Sequence, residues 1–174
     1  MSDTANAAQG QPVPPLTVNI QYIKDLSFEV PNAPAVYATL RQQPNVAINL
    51  DVQATRIQEG QDVFEVVLQV RAEAIEPAAP DAANGAGAGA PTDPRVVFIA
   101  EMSYAGVFTL AGLPPDAVEP VLLVECPRLL FPYARNILAD VTRDGGFPPV
   151  LLQPIDFVAL WQSNRAQAGQ TAQA

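Results

Sequence analysis

The sequence contains no histidine and a single cysteine, Cys126. Without histidine, the commonest general base and the commonest metal ligand are missing. One cysteine excludes an intrachain disulfide and fits a reducing compartment. A metal site would have to be all oxygen, and no D-x-D-x-D-G pattern supplies one. The Gly-rich stretch NGAGAGAP carries no Lys and opens no helix, so it reads as a linker and not a phosphate loop. Basic residues are scarce, 9 Lys and Arg against 18 Asp and Glu, for a net charge of −9. That argues against nucleic acid, whose binding needs cations on the protein side, and against an anionic membrane surface. It favours solubility, or a basic or zinc-bearing partner. No run approaches the ~20 apolar residues of a membrane helix. The start, MSDTANAAQGQPVPP, has neither the basic nor the apolar region of a secretory signal. The expectation is a soluble cytosolic protein that is not an enzyme and needs no cofactor or metal.

What is present is period. Pro127 to Asp156 holds the one long helix-period segment: Leu130, Ala134, Ile137, Leu138 and Val141 share a stripe, while Arg135, Asp140 and Arg143 fall off it. Gly145-Gly146 and the following FPP stop the helix. From Arg128 to Arg143 it would be about 24 Å long. Pro132 is tolerable only in a first turn, so the start is expected nearer Phe131.

The rest reads mainly as strands. Leu16, Val18, Ile20, Tyr22, Leu26 and Phe28 alternate with polar residues, and Ile23-Lys24 breaks the parity, which predicts a bend or bulge there. Val30 to Asn45 is a crossover with three prolines, in which Val36, Tyr37 and Leu40 form a helical turn or an apolar hook. Val46, Ile48, Leu50, Val52 and Ala54 mark a second strand. EGQD, Glu59 to Asp62, is a hairpin turn. Phe64 to Ala72 is a third strand and Val96 to Tyr104 a fourth, with Ala105 to Pro115 as a turn. Pro115 to Cys126 reads as a short helix capped by Asp116. Asp156 caps a last helix with Phe157, Leu160 and Trp161 on one face. Residues 1–14, 76–94 and 163–174 lack apolar period and are expected to be a disordered tail, a flexible insertion and a second tail around one domain, 15–162.

Hairpin-like links imply an α+β fold, a four-stranded antiparallel sheet whose apolar face is covered by helices. The outer face would carry Asp25, Ser27, Glu29, Asp51, Glu65 and Glu101, with Val97 and Ile99 as apolar points in an acidic surface. Leu129, Tyr133 and Asn136 give the long helix a second face, either plain surface or a subunit contact about a two-fold axis. Cys126 is read as a small buried filler, since no base accompanies it.

Four segments carry a resemblance in order and spacing: YIKDLSFEVPNAP (22–34), VFIAEMSYAGVFTLAG (97–112), CPRLLFPYAR (126–135) and GFPPVLLQPIDFVALW (146–161). Together they resemble the SecB family of bacterial protein-export chaperones. The resemblance implies a homotetramer built as a dimer of dimers. It implies an ATP-independent holdase that keeps precursor proteins unfolded and passes them to the motor ATPase SecA. It assigns Asp25, Glu29, Ile99 and Glu101 to a patch that docks SecA's basic, zinc-bearing tail; from the residues alone they read as a solvated sheet face. It assigns Tyr37, Leu40, Val46, Ile48, Leu50, Phe157, Leu160 and Trp161 to a groove for unfolded clients; from the residues alone they are equally core.

The chain departs from the family in three places. Residues 76–94 replace a short turn. LRQQPN stands where some relatives carry a tryptophan. The tail SNRAQAGQTAQA has no acidic residue for a secondary SecA contact. Two other readings stay open: an adaptor that recruits one folded partner through the acidic face, and a SecB-like chaperone serving a toxin–antitoxin system.

Overall fold

Strand β1 (Leu16–Glu29) runs along one edge of a sheet and contains two irregularities. The structure is a computed structural model that describes residues 14–40, 42–77 and 94–171, with side chains as far as Gln167. After β1 come helix α1 (Ala35–Thr39) and the strands β2 (Asn45–Arg56), β3 (Val63–Glu76) and β4 (Arg95–Leu110). The four strands form one antiparallel sheet in the order β1-β4-β3-β2. Strands β3 and β4 are therefore the middle of the sheet, and β1 and β2 its edges. The expected N-terminal tail and the insertion fall largely outside the described residues, as do residues 172–174 of the expected C-terminal tail.

Pairing fixes which side chains share a face. In β3 the even positions Phe64, Val66, Leu68, Val70 and Ala72 are buried, as alternation requires. Their partners Phe108, Gly106, Tyr104, Met102 and Ala100 in β4 are buried with them. In β1 the register slips between Val18 and Ile20 and again between Ile23 and Asp25. The second slip matches the expected bulge. The first corrects the simple even series. Between the two bulges parity is inverted: Ile20 and Tyr22 pair with Val107 and Ala105 on the outer face. Gln21 and Ile23 pair with Gly106 and Tyr104 on the helix side. Strand β4 also continues to Leu110, through residues 105–110 that were expected to turn, because both β1 and β3 pair with them.

The helical half differs from expectation at its joints. Helix α2 (Pro115–Pro120) runs through a π-helical turn (Val121–Glu125) straight into α3 (Cys126–Asp144). Asp116 makes no capping hydrogen bond. Pro132 lies well inside α3 and not in its first turn. Pro132 is exposed, while Leu130, Phe131 and Ala134 beside it are buried. Burying those side chains outweighs the ~3 kcal/mol that an interior proline costs a helix. The stop is as expected. Gly146 takes φ +87°, the Phe147 amide donates to Thr142 O at 3.1 Å and the Gly146 amide to Arg143 O at 2.9 Å. That is a Schellman motif, which needs glycine at the left-handed position.

Helix α3 lies across β3 and β4 and buries Leu130, Ala134 and Leu138 against them. The approach is close at Gly106: a Cβ there would come within 2.7 Å of Phe108 and 2.9 Å of Leu130. A smaller cluster of Val36, Ala74, Val97, Phe98 and Phe147 fills the crossover end. Val97 is thus buried and not a point on the outer surface, because the crossover covers it. Helix α4 (Phe157–Thr171) continues past residue 162, where a tail was expected to begin.

Candidate functional site

Two unlike surfaces lie on opposite sides of the sheet. The outer face is built row by row from cross-strand neighbours. One row is Ala47, Glu73, Ile99 and Glu29; the next is Asn49, Arg71, Glu101 and Ser27; the third is Asp51, Gln69, Ser103 and Asp25. Asp25, Glu29, Ile99 and Glu101 therefore do share one face, with Asp25 and Glu29 about 13 Å apart along β1. Asp25 and Glu29 are exposed, and Ile99 and Glu101 half-buried. Sequence reasoning missed Arg71. Its guanidinium donates to Glu101 and, at 3.1 Å, to Glu73. Those carboxylates raise its already high pKa, Glu73 first and Glu101 second. Period alone places Arg71 on this face; its cross-strand register to Glu101 is what no local pattern reveals.

A second polar group sits further along the same face. Glu65 accepts from Lys24 Nζ at 2.7 Å and from the Tyr22 hydroxyl. Lys24 first, then Tyr22, holds the Glu65 carboxyl below its usual range. The same hydrogen bond holds the Tyr22 proton more tightly and raises its pKa. Glu65 is therefore a neutralised member of the expected acidic set.

The helix side carries an apolar groove along β2. Val46 and Ile48 are exposed, and Leu50 and Val52 are half-buried, all on one face of an edge strand that α3 does not reach. Three depressions follow one another along this face, the first two sharing Val46, Val150 and Leu151. The first lies between Pro44, Phe147 and Pro148–Leu151. The second, roughly 440 Å³, is lined by Val46, Ile48, Leu50, Val150–Gln153 and Ile155. The third, roughly 210 Å³, is lined by Val52, Leu123, Leu160, Trp161, Asn164 and Arg165. Val46 to Val52 covers about 20 Å at ~3.4 Å per residue, the reach of about six residues of extended chain.

The far wall of the groove is pinned from α3. Thr142 is fully buried, donates to Leu138 O at 2.9 Å and accepts from the Val150 amide at 3.0 Å. That bond fixes the extended segment 148–155, whose Leu151 is 58 % exposed. At one end Tyr37 stacks on Phe147 with centroids 5.3 Å apart and donates to Gly145 O at 2.8 Å. Leu40 is half-buried beside it. At the other end the Asp156 carboxylate caps α4 by accepting from the amides of Val158 and Ala159. Trp161 is half-buried, and its indole N–H donates to Glu119 Oε1 at 3.1 Å.

Seven of the eight expected groove residues thus lie along or beside one channel. Phe157 does not line it. It is 1 % exposed and packs edge-on to Phe131 in the main core. On α4, Phe157 points inward beneath the channel floor and Trp161, one turn on, reaches its rim. Leu123, Val150, Leu151 and Arg165 were missed. Leu123 sits in the π-helical turn, where an α-helical stripe cannot forecast its direction.

A third feature is the helix-side surface of β1. Val18, Ile23 and Leu26 are 39 %, 48 % and 39 % exposed there, beside Leu129 and Tyr133 of α3 at 42 % and 53 %. Helix α3 covers the middle strands and only grazes this edge, which leaves these side chains exposed.

The chemistry of the remaining groups is quiet. Among the described residues no group of His, Cys, Asp and Glu is arranged to hold a metal. Cys126 is buried, and desolvation with a lesser contribution from Glu125 pushes its thiol up to about 12, so it carries almost no thiolate at neutral pH. No helix among the described residues is long and apolar enough to cross a membrane.

Residues 9–168 match the family described as preprotein translocase subunit SecB. The chain is 66 % identical over 155 residues to the protein-export protein SecB of Acidiphilium cryptum, covering 89 % of this chain and 92 % of that protein. It is 60 % identical over 170 residues to that of Granulibacter bethesdensis, covering 96 % and 93 %. Among solved structures it resembles a SecB-like chaperone of Mycobacterium tuberculosis, solved with a ChAD peptide from the HigA1 antitoxin. The TM-score is 0.59 at 14 % identity, over 81 % of this chain and 91 % of that one. That likeness is one of fold.

Proposed function

The chain belongs to the SecB family and is a chaperone of the Sec protein-export pathway, and we propose that its two sheet faces divide the work between client and motor. The groove along β2 takes unfolded precursor chains. The outer face, through Asp25, Glu29, Ile99 and Glu101, docks the basic, zinc-bearing tail of SecA. The observation that carries this reading is the contrast between the faces. One presents a long channel with a nearly uncharged lining; the other presents carboxylates around a single bridging guanidinium.

An apolar channel binds extended chain with little regard for sequence, because burial energy follows area. At ~25 cal/mol per Å², burying about 400 Å² of client contributes on the order of 10 kcal/mol gross, much of it offset by ordering. No nucleotide chemistry is needed for such holding. The exposed strip on β1 and α3 joins a second copy, and two such pairs assemble as a dimer of dimers. Several grooves on one particle then add avidity for a single long client. The same acidic face would serve an adaptor equally well, but an adaptor has no use for the groove.

The test is calorimetric titration with one secretory precursor, presented once unfolded and once folded, with mass by light scattering on the same sample. Tight binding only to the unfolded form, on a particle near four chains, is the expected result. Equal binding to both forms would remove the holdase reading.

A further inference from the structure

Charge along the groove is distributed unevenly. Among the described residues that line its three depressions, one side chain is charged, Arg165. Its guanidinium lies over the Trp161 ring, 5.2 Å from the centroid. Lys24, Arg56, Arg71, Arg95, Arg128 and Arg143 each stand in an ion pair; Arg165 stands outside all of these pairs. The Glu119 carboxylate meets the same indole at its N–H edge, accepting from Nε1 at 3.1 Å.

We propose that Arg165 is a specificity-determining residue of the client groove, selecting apolar segments that carry an acidic side chain beside them. The proposal rests on the client-groove reading above. A guanidinium held over an indole face still presents N–H donors in the fork that suits a carboxylate. When an apolar segment fills the depression formed by Val52, Leu123 and Leu160, water leaves the rim and the local attraction strengthens. The field of the whole chain, at net −9, favours basic segments. It is largely screened beyond ~8 Å at physiological salt, whereas a rim pair acts at contact distance. The two preferences therefore oppose each other, and only the local one depends on Arg165.

Trp161 is the sole tryptophan, so its fluorescence reports occupancy at this end of the groove. Two end-blocked peptides without tryptophan would share six apolar residues and differ in being flanked by Glu or by Lys. Their dissociation constants and the Trp161 emission would be measured on wild type, Arg165→Gln, Arg165→Glu and Lys24→Glu. The last changes net charge as much as Arg165→Glu but on the outer face. Relative to wild type, Arg165→Glu is expected to move the preference toward the Lys peptide about 2–5-fold, the range of a rim ion pair. Arg165→Gln should fall between, Lys24→Glu should move it by less than half as much, and the difference should shrink at high salt. Equal shifts in Arg165→Glu and Lys24→Glu would overturn the proposal in favour of the general field. Peptides that move Trp161 emission with a preference indifferent to residue 165 would overturn it while leaving the groove reading intact. If neither peptide binds wild type or moves its emission, the groove reading fails, and this proposal with it.

Discussion

Arg71 on β3 reaches across the strand pair to Glu101 on β4, directly opposite in register. The carboxylate at the centre of the acidic face is therefore already engaged by a cation. Arg71 also holds Glu73. A basic partner docking there would compete with Arg71 for both. Both partners are half-exposed, so water and salt screen the pair and it adds little to folding. Arg71→Met is expected to leave the melting temperature within a few degrees of wild type and to tighten binding of SecA's basic tail several-fold by calorimetry. Asp25→Lys or Glu101→Lys should weaken that binding and spare client holding. Equal loss of client holding would show that the two faces are not separate.

The Glu65 cluster makes stability depend on pH at the acid end. Its carboxyl is held below its ordinary value of 4.5 by Lys24 and Tyr22. A depressed acid contributes stability that is fully present above the unfolded value and is lost as pH falls through the lower folded one. The denaturation midpoint of wild type over Glu65→Gln should therefore be higher at pH 7 and converge as pH drops from about 4.5 toward 3. Tyr22 works in the opposite sense. Its pKa is raised above 10.0, so its contribution is present below that value and lost as alkali deprotonates it. A difference between wild type and Glu65→Gln that is constant between pH 3 and 7 would sink this account.

Phe157 and Trp161 lie four residues apart on α4 but on opposite sides of the groove floor. Phe157→Ala should cost about 3–5 kcal/mol of stability, as for a large buried aromatic, measured by urea denaturation. Trp161→Ala should change stability by far less and weaken binding of an unfolded precursor instead, with the oligomer intact by light scattering. Loss of assembly in Trp161→Ala would put that residue at a subunit contact. Ile48→Ser, at a site 37 % exposed, should behave as Trp161→Ala does.

The bare strip on β1 and α3 predicts what assembly depends on. Leu26→Lys together with Tyr133→Lys should lower the particle mass without unfolding the protomer, because both side chains are substantially exposed on the single chain. A charge directly in an apolar contact is costly when unpaired. Unchanged mass by light scattering would move the subunit contact elsewhere.

Much of this protein was legible from residue pattern. Alternation over Phe64–Ala72 and Val46–Ala54 was enough to place both strands and their apolar faces, because a strand has period two wherever its pairing is regular. The Leu130–Leu138 stripe and the Gly145-Gly146 stop likewise foretold α3 and its end, since helix period and left-handed glycine are local properties. The absence of histidine and the acid excess narrowed the chemistry through composition alone.

Features that depend on partners distant in the chain were set by the folded arrangement. Two bulges exchanged Ile20 and Tyr22 for Gln21 and Ile23, since parity cannot be carried through an inserted residue. Packing, and not propensity, kept Pro132 inside a helix and ran α2 through a π-helical turn into α3. Strand register joined Arg71 to Glu101, and the position of α3 over the middle strands left β2 open as a groove and β1 open as an edge. On α4, residue spacing was sufficient to gather Phe157, Leu160 and Trp161 toward one side. The close packing of Phe131 beneath that helix is what makes Phe157 core and Trp161 rim, because burial is set by what stands opposite a side chain and no local pattern encodes that.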